Sequence, residues 1–424
     1  MPHKKISPKK DSGASRNIVR GTKQDFVADG KGSGGAGKRA IASLIERVAK
    51  RRALRAAVAR RAKVVLSGAP SLPRHLERHD GNPIIEPRDH HWWEMKATFN
   101  PAAVYADRRV HLLYRAIGGD DVSALGYASS RDGLTFDDRD DAPAYVPHVT
   151  KEAVPEEGRV TPPEGAYLSG GGWNGGAEDP RLTLIDDRVY LTYTAFDGWG
   201  SVRIGLSSIA LDDFLEKRWN WRKPALISPP GEIHKNWVIF PEKIRGKFAI
   251  LHGLVPKVLI EYRDSLEFEE GETIKSERPS NGAVRPNRAA WDSYVRGVGP
   301  PPLKTNDGWL VFYHAIEERD PGRYKLGAML LDLDDPTVVR ARTRAPILEP
   351  DVDYENEGFK AGVVYACGAV IKEGELFVYY GGADSVSCVA MADLASFLEE
   401  LKRDGAPKFD AEQTRKPSKA DVRR

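Results

Sequence analysis

Short runs of apolar and aromatic residues recur five times along the chain after residue 83, separated by charged or glycine-containing turns. Runs of this length between polar turns are typical of β-strands. Before each turn lies a second strand-like run, so each unit is predicted to begin with a hairpin. These second runs are NPAAVY, PRLTLI, VIFPEKI, GPPPLKT and ACGAVI. The five recurring runs are VHLLYRA (110–116), VYLTYTA (189–195), FAILHGL (248–254), WLVFYHA (309–315) and LFVYYGG (376–382).

This repetition predicts an all-β fold. Units of a few strands, repeated about four to eight times, are typical of a β-propeller. The pattern therefore favours a five-bladed β-propeller over residues 83–403, in preference to a pair of β-sandwiches. Only residues 394–402 have a convincing helical pattern, and residues 404–424 form a polar tail. Because the innermost strands of a propeller converge on a central channel, each repeat should contribute one or two residues to any site there.

The amino-terminal segment, residues 1–65, differs from the rest of the chain. Residues 1–63 contain 18 Lys and Arg but only 4 Asp and Glu, a net charge of +14, whereas the remainder carries −11. Residues 1–36 contain few large apolar residues, which predicts disorder. From Lys38 to Val65 apolar residues recur at helical spacing among Arg and Lys, which predicts a basic amphipathic helix. Residues 66–82 would then be a linker.

Three interpretations of the predicted basic helix remain open. It could be a solvated helix on the acidic body, a contact for an anionic membrane or nucleic acid, or a transit-peptide-like leader. No run in the chain approaches the roughly 18 apolar residues of a transmembrane helix, and no secretory signal is recognisable. Cys367 and Cys388 lie far apart in sequence and suit a reducing compartment. We therefore expect a soluble cytoplasmic protein.

Candidate chemistry is concentrated in three short strings. In GGAEDPR, Asp179 and Arg181 follow a glycine-rich loop, and they either project into the channel or form an ion pair that caps a turn. In YYGGAD, Asp384 is either a site carboxylate or a turn residue. Residues 234–237 and His252 place cationic and amide donors together, a composition suited to an anion such as phosphate, or else a solvated loop and a packed histidine. No metal-ligand spacing, P-loop, GxSxG or GxGxxG motif is present.

A set of strings occurs in one order between residues 83 and 400: FNPAAV, LLYRA, GYASSRDGLTFD, EDPR, NWVIFPEKIRGKFAILH, GVGPPP, GWLVFYHA, LGAMLLDLDDP, PILEPDVDYENEG, VVYACG and YYGGAD. Together they resemble glycoside hydrolase family 130, the mannoside phosphorylases and mannosidases. The resemblance covers nearly the whole body and none of the basic segment. It implies a five-bladed propeller, in agreement with the repeat count, and an inverting attack on a β-mannoside.

The resemblance also implies a role for each matching residue. Asp179 of EDPR would be the general acid, acting in the phosphorylases through the 3-hydroxyl of the bound mannose. Asn100 of FNP, Asp384 of YYGGAD and Arg181 would bind the mannose. No metal and no cofactor is expected, but inorganic phosphate would be a co-substrate. Its expected ligands are Arg115, Lys235, Asn236, His252 and Tyr324.

Two departures from the phosphorylase pattern keep hydrolysis open. Gly253 stands where the phosphorylases carry an Arg, and Lys235 replaces a bidentate guanidinium with a point charge. Lys243 and Arg323 are further cations that could compensate. A hydrolase would instead need a carboxylate as base, and the sequence offers two, Glu355 and Glu242.

Three hypotheses therefore stand. The leading one is inverting phosphorolysis of β-1,2- or β-1,4-linked mannosides to α-mannose 1-phosphate. The second is an inverting β-mannoside hydrolase of the same family, and the third is a non-catalytic propeller that binds sugar or protein. A homo-oligomer, and an anionic partner for the basic arm, are further expectations.

Overall fold

The computed structural model describes residues 76–146, 175–196, 202–275 and 290–406. The chain divides into two compact units, residues 1–72 and 73–424, and every described residue belongs to the second. The expected basic segment at residues 1–65 lies outside the described residues, as does nearly all of the expected polar tail. In the part that is described, no helix combines the length and the apolar character needed to cross a membrane.

Strands dominate the described residues, which confirms the all-β prediction. The strands are β1 (Glu77–Arg78), β2 (Ala97–Ala106), β3 (Arg109–Ile117), β4 (Ser123–Ser130), β5 (Asp138–Arg139), β6 (Gly176–Ile185), β7 (Arg188–Phe196), β8 (Val202–Ala210), β9 (Ala225–Leu226), β10 (Val238–Ile239), β11 (Phe248–Gly253), β12 (Leu259–Arg263), β13 (Tyr294–Val298), β14 (Leu303–Thr305), β15 (Gly308–Glu317), β16 (Asp320–Leu331), β17 (Val339–Arg342), β18 (Val364–Lys372), β19 (Glu375–Gly382) and β20 (Val386–Asp393). The helices are α1 (Leu211–Leu215), α2 (Asp353–Asn356) and α3 (Leu394–Asp404).

These strands form four sheets within the described ranges. The largest sheet joins two antiparallel groups, β2–β5 and β6–β9, through a single parallel pair, Ser123 with Gly176. The other sheets are β10–β12, β13–β17, and β18–β20 with β1 added beside β20. Each of the five recurring runs therefore lies in the middle strand of its own antiparallel group, in β3, β7, β11, β15 and β19.

One expected strand lies elsewhere. The run GPPPLKT precedes the fourth turn, but only its last three residues form a strand, β14. Three consecutive prolines at 300–302 have no backbone N–H to contribute to a ladder, so the long pairing with β15 is made by β13 instead. Similarly, only Val238 and Ile239 of VIFPEKI form a strand, β10, and Pro241 follows shortly after it.

The chain joins the body earlier than the expected linker suggests. Within residues 66–82, the described part contains β1, in which Glu77 pairs with Met391 and Arg78 with Ala390 of β20. Two residues make too short a run to be recognised from an apolar pattern. The last sheet is thus completed by the start of the described chain, and α3 follows it directly, as its helical pattern predicts.

Three of the groups contain the same aromatic contact between the middle strand and the strand that follows it. The fifth residue of three recurring runs is a buried tyrosine that lies over a glycine on the next strand. A Cβ at that glycine would lie 2.2–2.5 Å from the tyrosine Cζ, so glycine is needed for this approach. The pairs are Tyr114 with Gly126, Tyr193 with Gly205, and Tyr313 with Gly327.

Candidate active site

The first long strand of four groups changes register close to its first residue. A bulge of this kind bends the strand and re-aims its side chains, and bulges are frequent beside active sites. In β2 and β6 the bulge holds an Asn-Pro or Asp-Pro pair, and proline is tolerated there because the ladder is already interrupted. The shifts fall between Phe99 and Ala102, Glu178 and Arg181, Val295 and Gly297, and Ala366 and Gly368.

Four predicted site residues have left-handed backbone conformations. The φ angles are 49° at Asn100, 49° at Asp179, 66° at Asn236 and 50° at Asp384. Asn and Asp tolerate this region better than other residues with a Cβ, but the conformation still costs energy. Strained positions of this kind are typical of functional sites, where the surrounding structure holds them in place.

Asp179 contacts residues from both predicted groups, those expected to bind mannose and those expected to bind phosphate. Its carboxylate is buried, and Oδ1 accepts hydrogen bonds from Asn100 Nδ2 at 2.7 Å and from Arg115 Nη1 at 3.2 Å. Arg181 donates to the backbone carbonyl of the same residue. Three side chains that the sequence assigned to binding are thus brought together at the residue that it assigned to catalysis.

Glu178, to which the sequence gave no role, forms the second half of this cluster. Its carboxylate is fully buried, and it accepts from Arg115 Nη2 at 2.8 Å and from Lys235 Nζ at 3.4 Å. The Arg115 guanidinium therefore bridges two adjacent carboxylates, and its Nε donates to Ser123 Oγ at 2.9 Å. The position of Glu178 directly before Asp179 in EDPR was the only sequence signal for it.

Asn236 links four parts of the fold. Its Oδ1 accepts from Arg181 Nη2 at 2.9 Å and from the Tyr365 hydroxyl at 2.8 Å, while its Nδ2 donates to the Arg296 carbonyl at 3.0 Å. Arg181 also donates through Nε to the Gly299 carbonyl at 3.1 Å. The Asn236 amide therefore connects the segment before β10 with β6, β13 and β18. Arg181 connects β6 with the segment after β13.

His314 and Tyr365 are further residues of this region that the sequence did not identify. Their rings stack with centroids 3.8 Å apart and an interplanar angle of 11°. Burial, together with the positive charge of Arg181, lowers the pKa of His314 to about 3, so the imidazole is neutral. Within the described residues, neither ring nitrogen makes a regular hydrogen bond. Aligning the repeats would have found His314, because it is the sixth residue of its run, as Arg115 is.

The two aspartates of the site differ in their pKa. Burial alone would raise the pKa of Asp179, but the charges of Arg115, Lys235 and Arg181 outweigh it and lower the pKa to about 2. Burial dominates at Asp384 and raises its pKa. The free site therefore holds one firmly ionised carboxylate and one whose charge is disfavoured.

Asp384 lies on the Asn100 side of the cluster. Arg115 and Asp179 act electrostatically on its carboxyl group. Gly381, three residues before it, is packed against Asn100, because a Cβ there would lie 2.0 Å from Asn100 Oδ1. Two of the three residues expected to bind the mannose, Asn100 in β2 and Asp384 just after β19, therefore come from neighbouring parts of the fold.

The remaining two expected phosphate ligands lie at the edges of this group. The Tyr324 ring is 6.0 Å from the Tyr365 ring, measured between centroids. The His252 ring lies 5.2 Å from that of Trp237, and burial lowers its pKa to about 4. Its assignment as a phosphate ligand stays a prediction, since its contacts in the described structure are to Trp237 rather than to Arg115 or Lys235.

The two carboxylates considered as hydrolytic bases have other partners. Glu355 is fully buried, and its Oε1 accepts from Arg78 Nε at 2.7 Å and from the Tyr380 hydroxyl at 2.8 Å. Its Oε2 accepts from the backbone N–H of Asp351 at 2.8 Å. Glu242 is exposed on its side chain and pairs with Lys304.

The two compensating cations suggested by the sequence also lie elsewhere. The Lys243 Nζ is 4.5 Å from the centroid of the Phe248 ring, in the turn between β10 and β11. Arg323 pairs with Asp320 at 3.6 Å and donates to the Pro350 carbonyl. In the described structure neither contacts Asp179 or Glu178.

The described body is similar to known proteins over nearly its whole length. Residues 75–403 match the family model of glycoside hydrolase family 130, described as beta-1,4-mannooligosaccharide phosphorylase. The 1,2-beta-oligomannan phosphorylase of Thermoanaerobacter sp. (strain X514) is 36% identical over 328 residues, which cover 75% of this chain and 97% of that protein. The beta-1,2-mannobiose phosphorylase of the same organism is 34% identical over 331 residues, with the same coverage.

A solved structure supports the same relationship. The β-1,2-mannobiose phosphorylase from Listeria innocua, in complex with β-1,2-mannobiose, has a TM-score of 0.58 and 26% sequence identity. The similarity covers 77% of this chain and 99% of that one. The family model spans nearly all of the described body, which confirms the resemblance drawn from the sequence motifs. The chain therefore belongs to glycoside hydrolase family 130.

Proposed function

We propose that this protein is an inverting β-mannoside phosphorylase, which transfers a mannosyl group to inorganic phosphate and releases α-mannose 1-phosphate. The observation that carries this proposal is the pairing of Arg115 and Lys235 with Glu178, directly beside Asp179. Phosphorolysis needs cations beside the acid, whereas hydrolysis by inversion needs a second carboxylate that can accept a proton from water. Glu178 is instead engaged with Arg115 and Lys235.

The reaction is a single displacement at the anomeric carbon. A phosphate oxygen forms a bond to C1 on the α face while the β-glycosidic C1–O bond breaks on the other face. The departing oxygen takes a proton, which Asp179 supplies through the 3-hydroxyl of the mannose in the mechanism that the family resemblance implies. Asn100 and Asp384 would hold that mannose, and no metal or organic cofactor takes part in this proposal.

The low pKa of Asp179 in the free site has to be reconciled with its role as an acid. Arg115 and Lys235 are among the charges that lower this pKa. A bound phosphate dianion would place two negative charges against the same cations and offset their effect on Asp179. Phosphate would therefore raise the pKa of the carboxyl group and favour its protonation only when the nucleophile is present.

The neighbourhoods of Glu355 and Glu242 favour phosphorolysis over hydrolysis by the same family. Both oxygens of Glu355 are engaged with Arg78, Tyr380 and backbone N–H groups, and Glu242 pairs with Lys304. The relatives at 36% and 34% identity are named for β-1,2-linked substrates. We therefore propose the β-1,2 linkage as the first to test, with β-1,4 as the alternative.

We further propose that the five antiparallel groups are the blades of a propeller. Hydrogen bonds from Asn100 to Asp179, from Arg181 to Asn236, and from Asn236 to the Arg296 carbonyl connect the starts of four successive groups around one centre. The pairing of β1 with β20 would join the start of the body to its last blade.

A cytoplasmic location is proposed on the basis of the two buried free thiols, Cys367 and Cys388. The homo-oligomer and the anionic partner of residues 1–65 stay predictions from sequence.

Phosphate dependence tests the proposal. The full chain would be incubated with β-1,2-mannobiose and β-1,4-mannobiose, each with and without inorganic phosphate, and the products separated by anion-exchange chromatography. We expect mannose 1-phosphate together with one equivalent of mannose from the favoured linkage, and no turnover without phosphate. Release of mannose at equal rates in both conditions would support the hydrolase instead, and no turnover of any mannoside would favour a non-catalytic binding protein.

A further inference from the structure

The loop between α2 and β18 is fixed against the turn that carries Asp384. The backbone N–H of Phe359 donates to Ser385 Oγ at 2.9 Å, and that of Lys360 donates to the Ala383 carbonyl at 3.0 Å. Gly358 packs closely on the same turn, since a Cβ there would lie 2.4 Å from Ser385 Oγ. The position of Lys360 is therefore set by backbone contacts on either side of Asp384.

The Lys360 side chain extends from this loop toward Tyr324. Its Nζ lies 4.2 Å from the centroid of the Tyr324 ring, a distance typical of a cation–π contact. The backbone of Tyr324 is also bonded to this loop, because the Tyr324 N–H donates to the Gly362 carbonyl at 2.9 Å. The ammonium is thus held between the start of β16 and the Asp384 turn, and it is only half-buried.

Asp384 needs a cation because its surroundings disfavour its charge. Burial raises its pKa, and the nearby carboxylates of Asp179 and Glu178 add to this effect. Lys360 and Arg115 oppose it, and Lys360 has the stronger effect of the two. The buried thiol of Cys367 also faces this group, and burial raises its pKa so that it stays neutral.

The two cations have different partners. Arg115 is hydrogen-bonded to Glu178 and Asp179, so its charge is shared with the acid end of the site. Lys360 contacts the face of the Tyr324 ring, and its positive charge acts on Asp384. Burial of a carboxylate is tolerated only with such compensation.

We propose that Lys360 is a positioning residue for mannose binding, whose ammonium keeps the buried Asp384 carboxylate in the charged form that accepts hydrogen bonds from sugar hydroxyls. The proposal rests on the proposed function, in which Asp384 binds the mannose. It adds to that function a residue that the sequence did not identify, and it predicts how mannoside binding depends on pH. When Asp384 takes up a proton, it loses hydrogen-bond acceptors toward the sugar, so the KM for the mannoside rises at low pH.

The test compares Lys360→Met with Lys360→Arg and with the matched control Lys243→Met, in which a lysine over a phenylalanine ring far from Asp384 is replaced. For each, kcat/KM for the mannoside is measured from pH 5 to 8 at saturating phosphate. Removal of one nearby positive charge is expected to raise the pKa of a buried carboxyl group by about one unit. In Lys360→Met the acid limb should therefore move up by about one pH unit, through KM rather than kcat. Lys360→Arg and Lys243→Met should follow the parent.

A direct titration separates this proposal from the proposed function. The carboxyl carbon of Asp384 is followed by NMR in protein labelled at aspartate, with Asp384→Asn used to assign the signal. Titration at higher pH in Lys360→Met than in the parent would support the proposal, even if the parent has no phosphorolytic activity. An unchanged titration, or a rise in the KM for phosphate with the mannoside limb unmoved, would overturn it.

Discussion

Among the described residues, several buried clusters combine arginine with glutamate, and those around Glu355 and Asp179 differ in how fully their groups are satisfied. Around Glu355, one carboxylate meets one guanidinium, from Arg78, together with the Tyr380 hydroxyl and backbone N–H groups. Around Asp179, two adjacent carboxylates share the guanidinium of Arg115, and Glu178 also pairs with Lys235. Both oxygens of Glu355 accept regular hydrogen bonds, whereas Asp179 lies on strained backbone beside Asn100 Oδ1, which has no hydrogen-bond donor in the described structure.

The difference separates a structural contact from a reactive one. Arg78 belongs to β1, and its bonds to Glu355 fix that strand beside the loop before β18. The Asp179 cluster, in contrast, ties cations to carboxylates that a phosphate ion could replace as their partner. A buried arginine–glutamate pair is therefore not by itself a sign of catalysis. Unequal pKa shifts and left-handed residues in bulges are the better indicators here.

The largest expected effect comes from removing the acid. Asp179→Asn should lower kcat for phosphorolysis by about 10²–10⁴-fold, because general acid catalysis contributes that much. The side chain keeps its size and can still meet Asn100 and Arg115, so circular dichroism should show an intact fold. Turnover close to that of the parent would mean that the acid is another residue.

A matched pair of arginine variants should show that one cluster binds phosphate and the other stabilises the fold. Arg115→Met is expected to raise the KM for phosphate by about 10–100-fold, because it removes charge-assisted hydrogen bonds. Arg78→Met should leave that KM unchanged but lower the free energy of unfolding by about 3 kcal/mol, since Glu355 loses its ionic partner. Steady-state kinetics and urea denaturation measure the two quantities. If Arg78→Met weakened phosphate binding as much as Arg115→Met, the assignment of separate roles to the two clusters would be wrong.

The two site aspartates should have opposite effects on stability. Asp179, with its lowered pKa, stabilises the fold at pH values above the ordinary 3.8, and this contribution disappears as the pH falls through about 2. Asp384, with its raised pKa, destabilises the fold progressively as the pH rises from the ordinary 3.8 to that raised value, and fully above it. At pH 7, Asp179→Asn should therefore lower Tm and Asp384→Asn should raise it, each by about 2–4 °C. Shifts of the same sign in calorimetry would contradict this.

The smallest effect is expected at His314. His314→Phe keeps a ring that can stack on Tyr365 but removes two buried nitrogens that lack regular partners in the described structure. We expect Tm to stay the same or rise, because a buried polar atom without a hydrogen bond is costly. If His314 faces the bound substrates, kcat/KM should fall by about tenfold. An unchanged kcat/KM would assign the imidazole to packing alone.

The fold could be predicted largely from the apolar pattern. The five middle strands and α3 lie where that pattern places them, because long apolar runs and a helical stripe reflect burial directly. Strand β13 could not be placed, since it is short and includes Arg296 and Gly297, while the nearby prolines looked like the continuation of the repeat. Likewise, β1 is too short to carry a pattern.

The site could be predicted only in part. Asp179, Asn100 and Arg115 were reached through recognisable motifs, and the structure brings them into contact. Glu178 and Tyr365 were not found, because a side chain in a strand points to the centre only in the correct register, and a bulge changes that register within one or two residues. Such shifts depend on contacts between strands and leave little trace in the sequence.

The most direct measurement of the central claim is the fate of solvent oxygen during turnover. The enzyme would act on β-1,2-mannobiose in ¹⁸O-labelled water with unlabelled phosphate, and the released sugars would be weighed by mass spectrometry. Phosphorolysis at the Asp179 cluster predicts unlabelled mannose 1-phosphate in the α configuration, because its anomeric oxygen comes from phosphate and, unlike that of free mannose, does not exchange with water. Release of two free mannose molecules from each mannobiose, with no sugar phosphate formed, would contradict the account.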